Sequence, residues 1–189
     1  MSLTIEDIVR VFEAKGHEQY DGEPVTQLGH ALQSAHLAEE AGAGSALITA
    51  ALLHDLGHLL HDFGKTPTQH GLDDLHQYRC LPFLRPLFGP ETLEPIRLHV
   101  DAKRYLCARE PGYLETLSPD SRRSLVLQGG VFDEAQAQAF AALPFAQDAV
   151  RVRRWDDAAK SADAVVPGLS HFVRHMKISA AVRSAQPAV

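Results

Sequence analysis

The sequence predicts an all-α fold, and three observations lead to this prediction. Apolar residues recur at helical intervals along most of the chain, helix-capping residues precede several of these segments, and no strand-like alternation extends beyond a few positions. The chain has 189 residues, of which 45% are hydrophobic, and this is enough to build the core of one ordinary domain. We therefore expect a single helical bundle over residues 1–189, with a frayed tail at 180–189.

Two helices are predicted in the first quarter of the chain. Residues 2–15 place apolar side chains at mostly helical intervals, with Thr4 as the N-cap and acidic residues in the first turn. A charged segment containing Gly22 and Pro24 then indicates a loop. A second helix begins near Thr26 and ends at a pair of glycines.

The centre of the chain predicts a buried helix. The segment SALITAALLHDLGHLLH is apolar nearly all round, which is typical of a helix surrounded by others. After a loop marked by glycine and proline, the segments LDDLHQYRCLPFL and PETLEPIRLHVDAKRYL are both predicted to be helical. The second of these carries Pro90 in its opening turn, where proline is well tolerated.

Three further helices complete the prediction. SPDSRRSLVLQGG has Ser118 at the N-cap and Pro119 at the first helical position, and it ends at two glycines. DEAQAQAFAAL is predicted to be a short surface helix. RVRRWDDAAKSADA begins the last substantial helix.

The net charge and the lengths of the apolar segments argue against nucleic-acid and membrane partners. The chain has 18 basic and 24 acidic residues, a formal charge of −6, and the basic residues are scattered, so a nucleic-acid partner is not expected. The N-terminal segment is interrupted by Glu6, Asp7 and Arg10, which argues against a signal peptide. Since no apolar run approaches about 18 residues, no membrane span is predicted.

The two cysteines are consistent with a reducing compartment. Cys80 and Cys107 are isolated and too few for a disulfide framework, so we expect buried free thiols. We therefore expect a cytoplasmic protein. Its oligomeric state stays open.

A histidine–aspartate pair in the central apolar segment is the main chemical signal. His54 and Asp55 are adjacent, and His58 follows one turn later. Burying such groups is costly unless they are paired or bind a metal. Other predicted helices offer four more candidate ligands, namely His30, His76, His99 and Asp156. Imidazole and carboxylate together suit iron, manganese or zinc, and six ligands favour two metals bridged by Asp55.

The order H…HD…H…H…D resembles the HD-domain superfamily. The segments QLGHALQSA, AALLHDLGH, HVDAKRYL, SRRSLVLQGG and RRWDDAAK are more specific. They resemble the mixed-valent di-iron oxygenases of the PhnZ and TmpB type, which degrade phosphonates and are related to myo-inositol oxygenase. The resemblance covers most of the chain.

The resemblance implies a ligand set and a phosphonate site. The first iron would be bound by His30, His54, Asp55 and Asp156, and the second by His76 and His99 with Asp55 shared, while Asp157 is an alternative to Asp156. The phosphonate-binding residues would be His58, Lys103, Ser121, Ser124 and Arg153. Lys103 lies one turn from His99 and Arg153 nearly one turn before Asp156, so both cations are expected on metal-facing sides of their helices.

The loop before the second helix is also implicated by the resemblance. In the family, a tyrosine here occupies an iron position in the empty site, and a nearby glutamate senses the substrate's ammonium group. These residues correspond to Tyr20 and Glu23, and Gly22 between them would permit the loop to move. We expect Tyr20, Glu23, His58 and Lys103 to contribute to catalysis. The alternative is an ordinary loop with Tyr20 packed on the core.

The implied reaction is oxidative cleavage of a carbon–phosphorus bond by an Fe(II)/Fe(III) pair, with O2 as co-substrate. The expected substrate is (R)-1-hydroxy-2-(trimethylammonio)ethylphosphonate, which would give glycine betaine and phosphate. One alternative is (R)-2-amino-1-hydroxyethylphosphonate, giving glycine. Two others are a metal-dependent phosphohydrolase of the HD type and a non-catalytic metal-binding or regulatory module.

Residues outside this pattern are expected to be structural. Trp155 is predicted to anchor the core. Six histidines are predicted to be surface or structural residues, namely His17, His36, His61, His70, His171 and His175.

Overall fold

The all-α prediction is confirmed. The computed structural model describes residues 3–20, 22–60 and 67–185, and these ranges contain helices and turns but no β-strand. The α-helices are α1 (Ile5–Lys15), α2 (Gln27–Glu40), α3 (Ser45–Leu53), α4 (Leu56–Leu59), α5 (His76–Arg79), α6 (Leu81–Leu84), α7 (Pro90–Arg109), α8 (Tyr113–Thr116), α9 (Pro119–Leu127), α10 (Glu134–Ala141), α11 (Ala146–Ala158) and α12 (Leu169–Ala185). A 3₁₀ turn covers Pro67–His70.

The predicted N-caps are confirmed. Thr4 accepts a hydrogen bond from the Asp7 backbone, and the Asp7 side chain accepts one from the Thr4 backbone, which forms a capping box. Thr26 caps α2, and Ser118 caps α9 immediately before Pro119. These local signals fix where the helices begin.

The central apolar segment is not one helix, contrary to the prediction. Helix α3 ends at Leu53, and α4 begins at Leu56 after a turn formed by His54 and Asp55. Asp55 has φ −104° and ψ 8°, outside the helical region. Adjacent side chains of a regular helix point about 100° apart, so the turn allows His54 and Asp55 to face one cluster. His61, at the end of the predicted helix, lies outside the described residues.

The segment around His76 is also less helical than predicted. Asp73 and Asp74 lie before α5, and their side chains accept hydrogen bonds from the backbone N–H groups of Leu75 and His76, respectively. Such local bonds compete with helix formation. Leu75 has a left-handed φ of 53°, and the chain becomes helical only from His76.

The C-terminal segment forms a helix that the sequence analysis did not place. The predicted last helix, α11, ends at Ala158, and α12 follows from Leu169. Phe172 and Met176 of α12 are fully buried in the main core. Residues 180–185 of the tail that was predicted to be frayed continue α12, and residues 186–189 lie outside the described ranges.

Helix α3 occupies the centre of the main hydrophobic core. Seven of its nine residues are buried, and it contacts α2, α7, α11 and α12. Trp155 packs against this core as a partly buried residue, in agreement with its predicted role. Since α2, α7 and α11 surround α3, polar residues on their inner faces meet near its C-terminal end.

Both cysteines are free thiols, as predicted. Cys80 is buried as expected, whereas Cys107 was expected to be buried and is half-buried. Burial raises the pKa of Cys80 to about 12. None of the helices in the described ranges combines the length and apolarity that crossing a bilayer requires.

Gly57 controls the approach of α5 to α4. A Cβ atom at this position would lie 2.1 Å from the backbone oxygen of His76, which is far inside van der Waals contact. Only glycine therefore permits this close packing. The contact brings the backbone of His76 against the helix that follows Asp55.

We predict that Gly57→Ala destabilises the protein by about 3 kcal/mol, because the added methyl group must push α5 away. The melting temperature should fall by roughly 6–12 °C in a thermal unfolding experiment. Gly168→Ala is the matched control, since a Cβ there meets open space. Equal melting temperatures for the two variants would contradict the packing described for Gly57.

Candidate metal centre

Four histidines and two aspartates meet inside the bundle. They come from α2, the turn between α3 and α4, α5, α7 and α11, and all six are buried: His30, His54, Asp55, His76, His99 and Asp156. Their donor atoms form two groups, each with all its atoms within 4.8 Å of one another. The first group is His30, His54 and Asp156, and the second is Asp55, His76 and His99.

In the first group, two imidazole nitrogens face each other. Nε2 of His30 lies 3.2 Å from Nε2 of His54. Their Nδ1 atoms lie 3.0 Å and 2.8 Å from the carbonyl oxygens of Ala159 and Ala51. A carbonyl only accepts hydrogen bonds, so each Nδ1 carries the proton and each Nε2 presents a lone pair. Burial lowers the pKa of His30 to about 4, which keeps this ring neutral.

The second group repeats the arrangement. Nε2 of His76 lies 3.2 Å from Nε2 of His99. Nδ1 of His99 lies 2.7 Å from the Ile96 carbonyl oxygen, and Nδ1 of His76 lies 2.8 Å from a carboxylate oxygen of Asp74. Burial lowers the pKa of His99 to about 4. In each group, therefore, the two Nε2 atoms are directed at one point.

Asp55 joins the two groups. Its Oδ2 lies 3.6 Å and 3.4 Å from Nε2 of His30 and His54, and its Oδ1 lies 3.3 Å and 3.5 Å from Nε2 of His76 and His99. The carboxylate therefore presents one oxygen to each group.

The donor set fits two cations. Oδ1 of Asp156 is buried and forms no hydrogen bond with any described residue, although it lies 3.5 Å from Nε2 of His30. Facing lone pairs and an unsatisfied carboxylate oxygen are unfavourable without a positive charge between them. Ligand atoms about 2.1 Å from one ion and roughly at right angles are about 3 Å apart, close to the distances found here.

Asp157 has different partners from Asp156. Asp157 forms an ion pair with Arg153 and accepts a hydrogen bond from the Tyr113 hydroxyl. Asp156 is buried beside the first histidine group, and its Oδ2 lies 2.8 Å from Arg153. Of the two alternatives, Asp156 is therefore the better-placed ligand.

Asp74 orients His76 and the neighbouring His58, and it was missed by the sequence analysis. Its carboxylate lies 2.8 Å from Nδ1 of His76 and 2.6 Å from Nδ1 of His58. Burial would raise the pKa of Asp74, but the hydrogen bonds from His58 and His76 hold it far below its usual value. Carboxylates that fix the ring of a metal-binding histidine are a common feature of metal sites. The sequence signal was an acidic residue two positions before a candidate ligand.

A cavity opens onto both groups. Its wall includes Asp55, His76, His99 and Asp156, and also the side chains predicted to bind the phosphonate, namely His58, Lys103, Ser121, Ser124 and Arg153. The Lys103 ammonium donates a hydrogen bond of 2.8 Å to the Ser124 hydroxyl. The structure therefore brings both predicted sets of residues to one place.

The cavity carries two buried cationic side chains. Burial, with Arg153 nearby, lowers the pKa of Lys103 to about 7. Burial opposes ionisation of Arg153 as well, but Asp156 and Asp157 raise its pKa well above the usual value. One fixed and one titratable positive charge thus lie beside the histidine groups, where they can bind an anion.

Tyr20 lies against the first group. Its hydroxyl donates a hydrogen bond of 2.7 Å to Oδ2 of Asp55, and its ring stacks on His30 with centroids 4.1 Å apart. Glu23 is not among the described residues that line the cavity, and its carboxylate lies 3.3 Å from the Lys160 ammonium. Lys160 also lies 5.7 Å from the centre of the Tyr20 ring. The sequence analysis did not identify Lys160.

Comparisons with known proteins identify relatives along most of the chain. No family model matches. The chain is 43% identical over 169 residues to hydroxymethylphosphonate dioxygenase of Gimesia maris, covering 89% of this chain and 84% of the relative. It is 39% identical over 168 residues to [1-hydroxy-2-(trimethylamino)ethyl]phosphonate dioxygenase (glycine-betaine-forming) of Leisingera caerulea, covering 89% and 86%.

A third relative is the uncharacterized protein L432 of Acanthamoeba polyphaga mimivirus, which is 31% identical over 170 residues, covering 89% of this chain and 78% of the relative. The two relatives with named activities share the type of reaction and differ in substrate. Their similarity confirms the resemblance inferred from the motifs. The chain belongs to the family of phosphonate dioxygenases.

Proposed function

We propose that this protein is a dioxygenase that cleaves the carbon–phosphorus bond of (R)-1-hydroxy-2-(trimethylammonio)ethylphosphonate, giving glycine betaine and phosphate. The observation that carries the proposal is the cavity in which buried Arg153 and Lys103 adjoin two histidine groups bridged by Asp55. The relative from Leisingera caerulea, whose name gives this substrate and product, supports it. We further propose that residues 1–189 form one HD domain.

The proposed cofactor is a pair of iron ions in the Fe(II)/Fe(III) state. His30, His54, Asp55 and Asp156 would hold the first iron, and His76, His99 and Asp55 would hold the second. Mixed imidazole and carboxylate ligands suit iron. When bound, the irons supply the redox chemistry with O2 and polarise the oxygen atoms of the substrate.

The protein's own contribution is to bind and orient the phosphonate. Arg153 and Lys103 neutralise its charge, and the hydroxyl groups of Ser121 and Ser124 donate hydrogen bonds. Asp74 holds Nδ1 of His58, so that the other ring nitrogen is directed toward the cavity. In each turnover one O2 is consumed, C1 leaves as a carboxylate and phosphorus leaves as phosphate, so the overall reaction needs no further reductant.

The loop residues have a separate proposed role. The Tyr20 hydroxyl donates its hydrogen bond to the Asp55 oxygen that faces the first histidine group. We propose that Tyr20 leaves when the substrate binds and that Glu23 then neutralises the trimethylammonium group. Gly22, with its left-handed φ of 79°, lies between these residues. The change requires Glu23 to separate from Lys160.

Hydroxymethylphosphonate is a second candidate substrate, and a specific contact favours it. Glu23 already has a cationic partner in Lys160, with both side chains largely shielded from solvent. A substrate without an ammonium group would leave this ion pair intact. The relative from Gimesia maris is named for this substrate.

A panel of substrates tests the proposal. Iron-loaded protein is assayed with the trimethylammonio, amino and hydroxymethyl phosphonates, while O2 consumption and phosphate release are measured together. We expect the highest kcat/KM for the trimethylammonio compound and one phosphate per O2. A preference for hydroxymethylphosphonate would select the second candidate. If the protein instead hydrolyses phosphate esters without O2, it is a phosphohydrolase and not an oxygenase.

The variant Lys160→Met tests whether Glu23 exchanges Lys160 for the trimethylammonium group of the substrate. Lys160 is the only ion-pair partner of Glu23 among the described residues, so without it KM for the trimethylammonio substrate should fall about fivefold. KM for hydroxymethylphosphonate should not fall. Lys177→Met, which removes an exposed ammonium on α12, is the matched control. An equal change in KM for both substrates would show that Lys160 does not compete with the substrate cation.

Lys103 gives a prediction about pH. Its ammonium form binds the phosphonate, so kcat/KM should decrease as the pH rises above about 7, where the group loses its proton. Lys103→Arg should lack this decrease because a guanidinium stays charged. Lys103→Ala should raise KM by roughly tenfold or more without loss of iron. An unchanged KM in Lys103→Ala would remove Lys103 from the anion site.

A further inference from the structure

A further group of side chains that could hold a metal ion lies on another part of the molecule. It consists of Glu39 on α2 and of His171 and His175 on α12, whose donor atoms lie within 4.8 Å of one another. The two histidines are one helical turn apart and so share a face of α12. All three side chains are half-buried, and none of them lines the cavity described above. The sequence analysis had predicted structural roles for both histidines.

Both imidazoles direct a nitrogen atom at the same carboxylate. Nε2 of His171 lies 2.9 Å from Oε2 of Glu39, and Nε2 of His175 lies 3.1 Å from Oε1. Nδ1 of His175 lies 3.0 Å from the Ser45 hydroxyl, which fixes the orientation of this ring. The group thus consists of two imidazoles and one carboxylate, and the contact with Ser45 holds the His175 ring in place.

Arg174 supplies the positive charge in this group. Its guanidinium donates hydrogen bonds to Oε1 of Glu39 at 2.5 Å and to Nε2 of His175 at 3.2 Å. It also lies 2.9 Å from Nε2 of His171. A guanidinium can only donate, so the imidazole nitrogen that accepts from it carries no proton. The proton of His175 then lies on Nδ1, facing Ser45.

The cluster is therefore assembled around a cation that can be exchanged. Arg174 is 54% exposed, so its side chain can turn into solvent. Burial alone would raise the pKa of Glu39, but hydrogen bonds from His171 and Arg174 lower it to about 2. Once Arg174 has turned away, two imidazoles and an ionised carboxylate face one point. This donor set suits zinc and other borderline divalent ions, with water completing the coordination.

The geometry points to a second metal site, in which Glu39, His171 and His175 bind a borderline divalent cation such as Zn²⁺ in exchange for Arg174. The ion connects α12 to α2, the helix that carries His30. Binding at this site therefore stabilises the docking of the C-terminal helix. The proposal is independent of the proposed oxygenase activity, because it involves none of the residues assigned to the reaction.

Zinc titration of iron-loaded protein tests the site. Iron content is measured before and after the titration, so that exchange at the central groups is detected. We expect the wild-type protein to bind one further Zn²⁺ and its melting temperature to rise. His171→Gln and His175→Gln should each weaken this binding by more than about tenfold. His36→Gln, which removes another histidine at the surface of α2, is the matched control and should not change it.

Arg174→Gln gives an independent test, because it removes the competing cation and keeps all three ligands. We expect this variant to bind Zn²⁺ at least as tightly as the wild-type protein. Weaker binding in Arg174→Gln would contradict the exchange. Wild-type affinity in both histidine variants, or no binding beyond the central groups in the wild-type protein, would overturn the site. If a histidine variant does not fold, Arg174→Gln and the wild-type stoichiometry decide the question.

Discussion

The structure depends on buried imidazole and carboxylate groups that face one another inside the bundle. All of the facing atoms are acceptors, so only a cation between them can satisfy them. His30 and His54 face each other at 3.2 Å, as do His76 and His99, and Asp55 lies between the two pairs. The Nδ1 atoms of three of these rings face carbonyl oxygens, so the facing nitrogens are unprotonated. In a dry interior this arrangement is unfavourable without a positive charge. Metal binding therefore contributes to the stability of the fold.

Local features of the fold bring these donors together. The turn between α3 and α4 lets His54 and Asp55 reach one cluster, and Gly57 lets α5 approach closely enough to place His76. Helix α7 carries His99 and, one turn later, a buried lysine, while α11 carries an arginine shortly before Asp156. Each of these helices thus places a histidine or aspartate of the buried groups and a cationic side chain on the same side. In the proposed function, this pairing would link the metal groups to the phosphonate site.

The features that the sequence predicted are those that depend on residues close together in the chain. Helix starts at Thr4, Thr26 and Ser118 follow from local capping, and the apolar surroundings of His54 and Asp55 indicated a buried polar site. The remaining features arise from contacts between distant segments, such as Glu39 with His175 and Glu23 with Lys160, which periodicity does not reveal. The sequence analysis did not place α12, and the packing of this helix against α2 and α3 is likewise a contact between distant segments. The break at His54 is a case in which tertiary requirements overrode a strong helical pattern.

In the proposed centre, Asp55 bridges two irons. The most direct measurement is the iron content per chain, with Mössbauer spectroscopy, of wild-type and Asp55→Ala protein purified without oxygen. We expect two irons per chain with the spectrum of a coupled pair in the wild-type protein, and loss of both irons in the variant. One uncoupled iron in the wild-type protein, or a full complement in Asp55→Ala, would contradict the bridged centre.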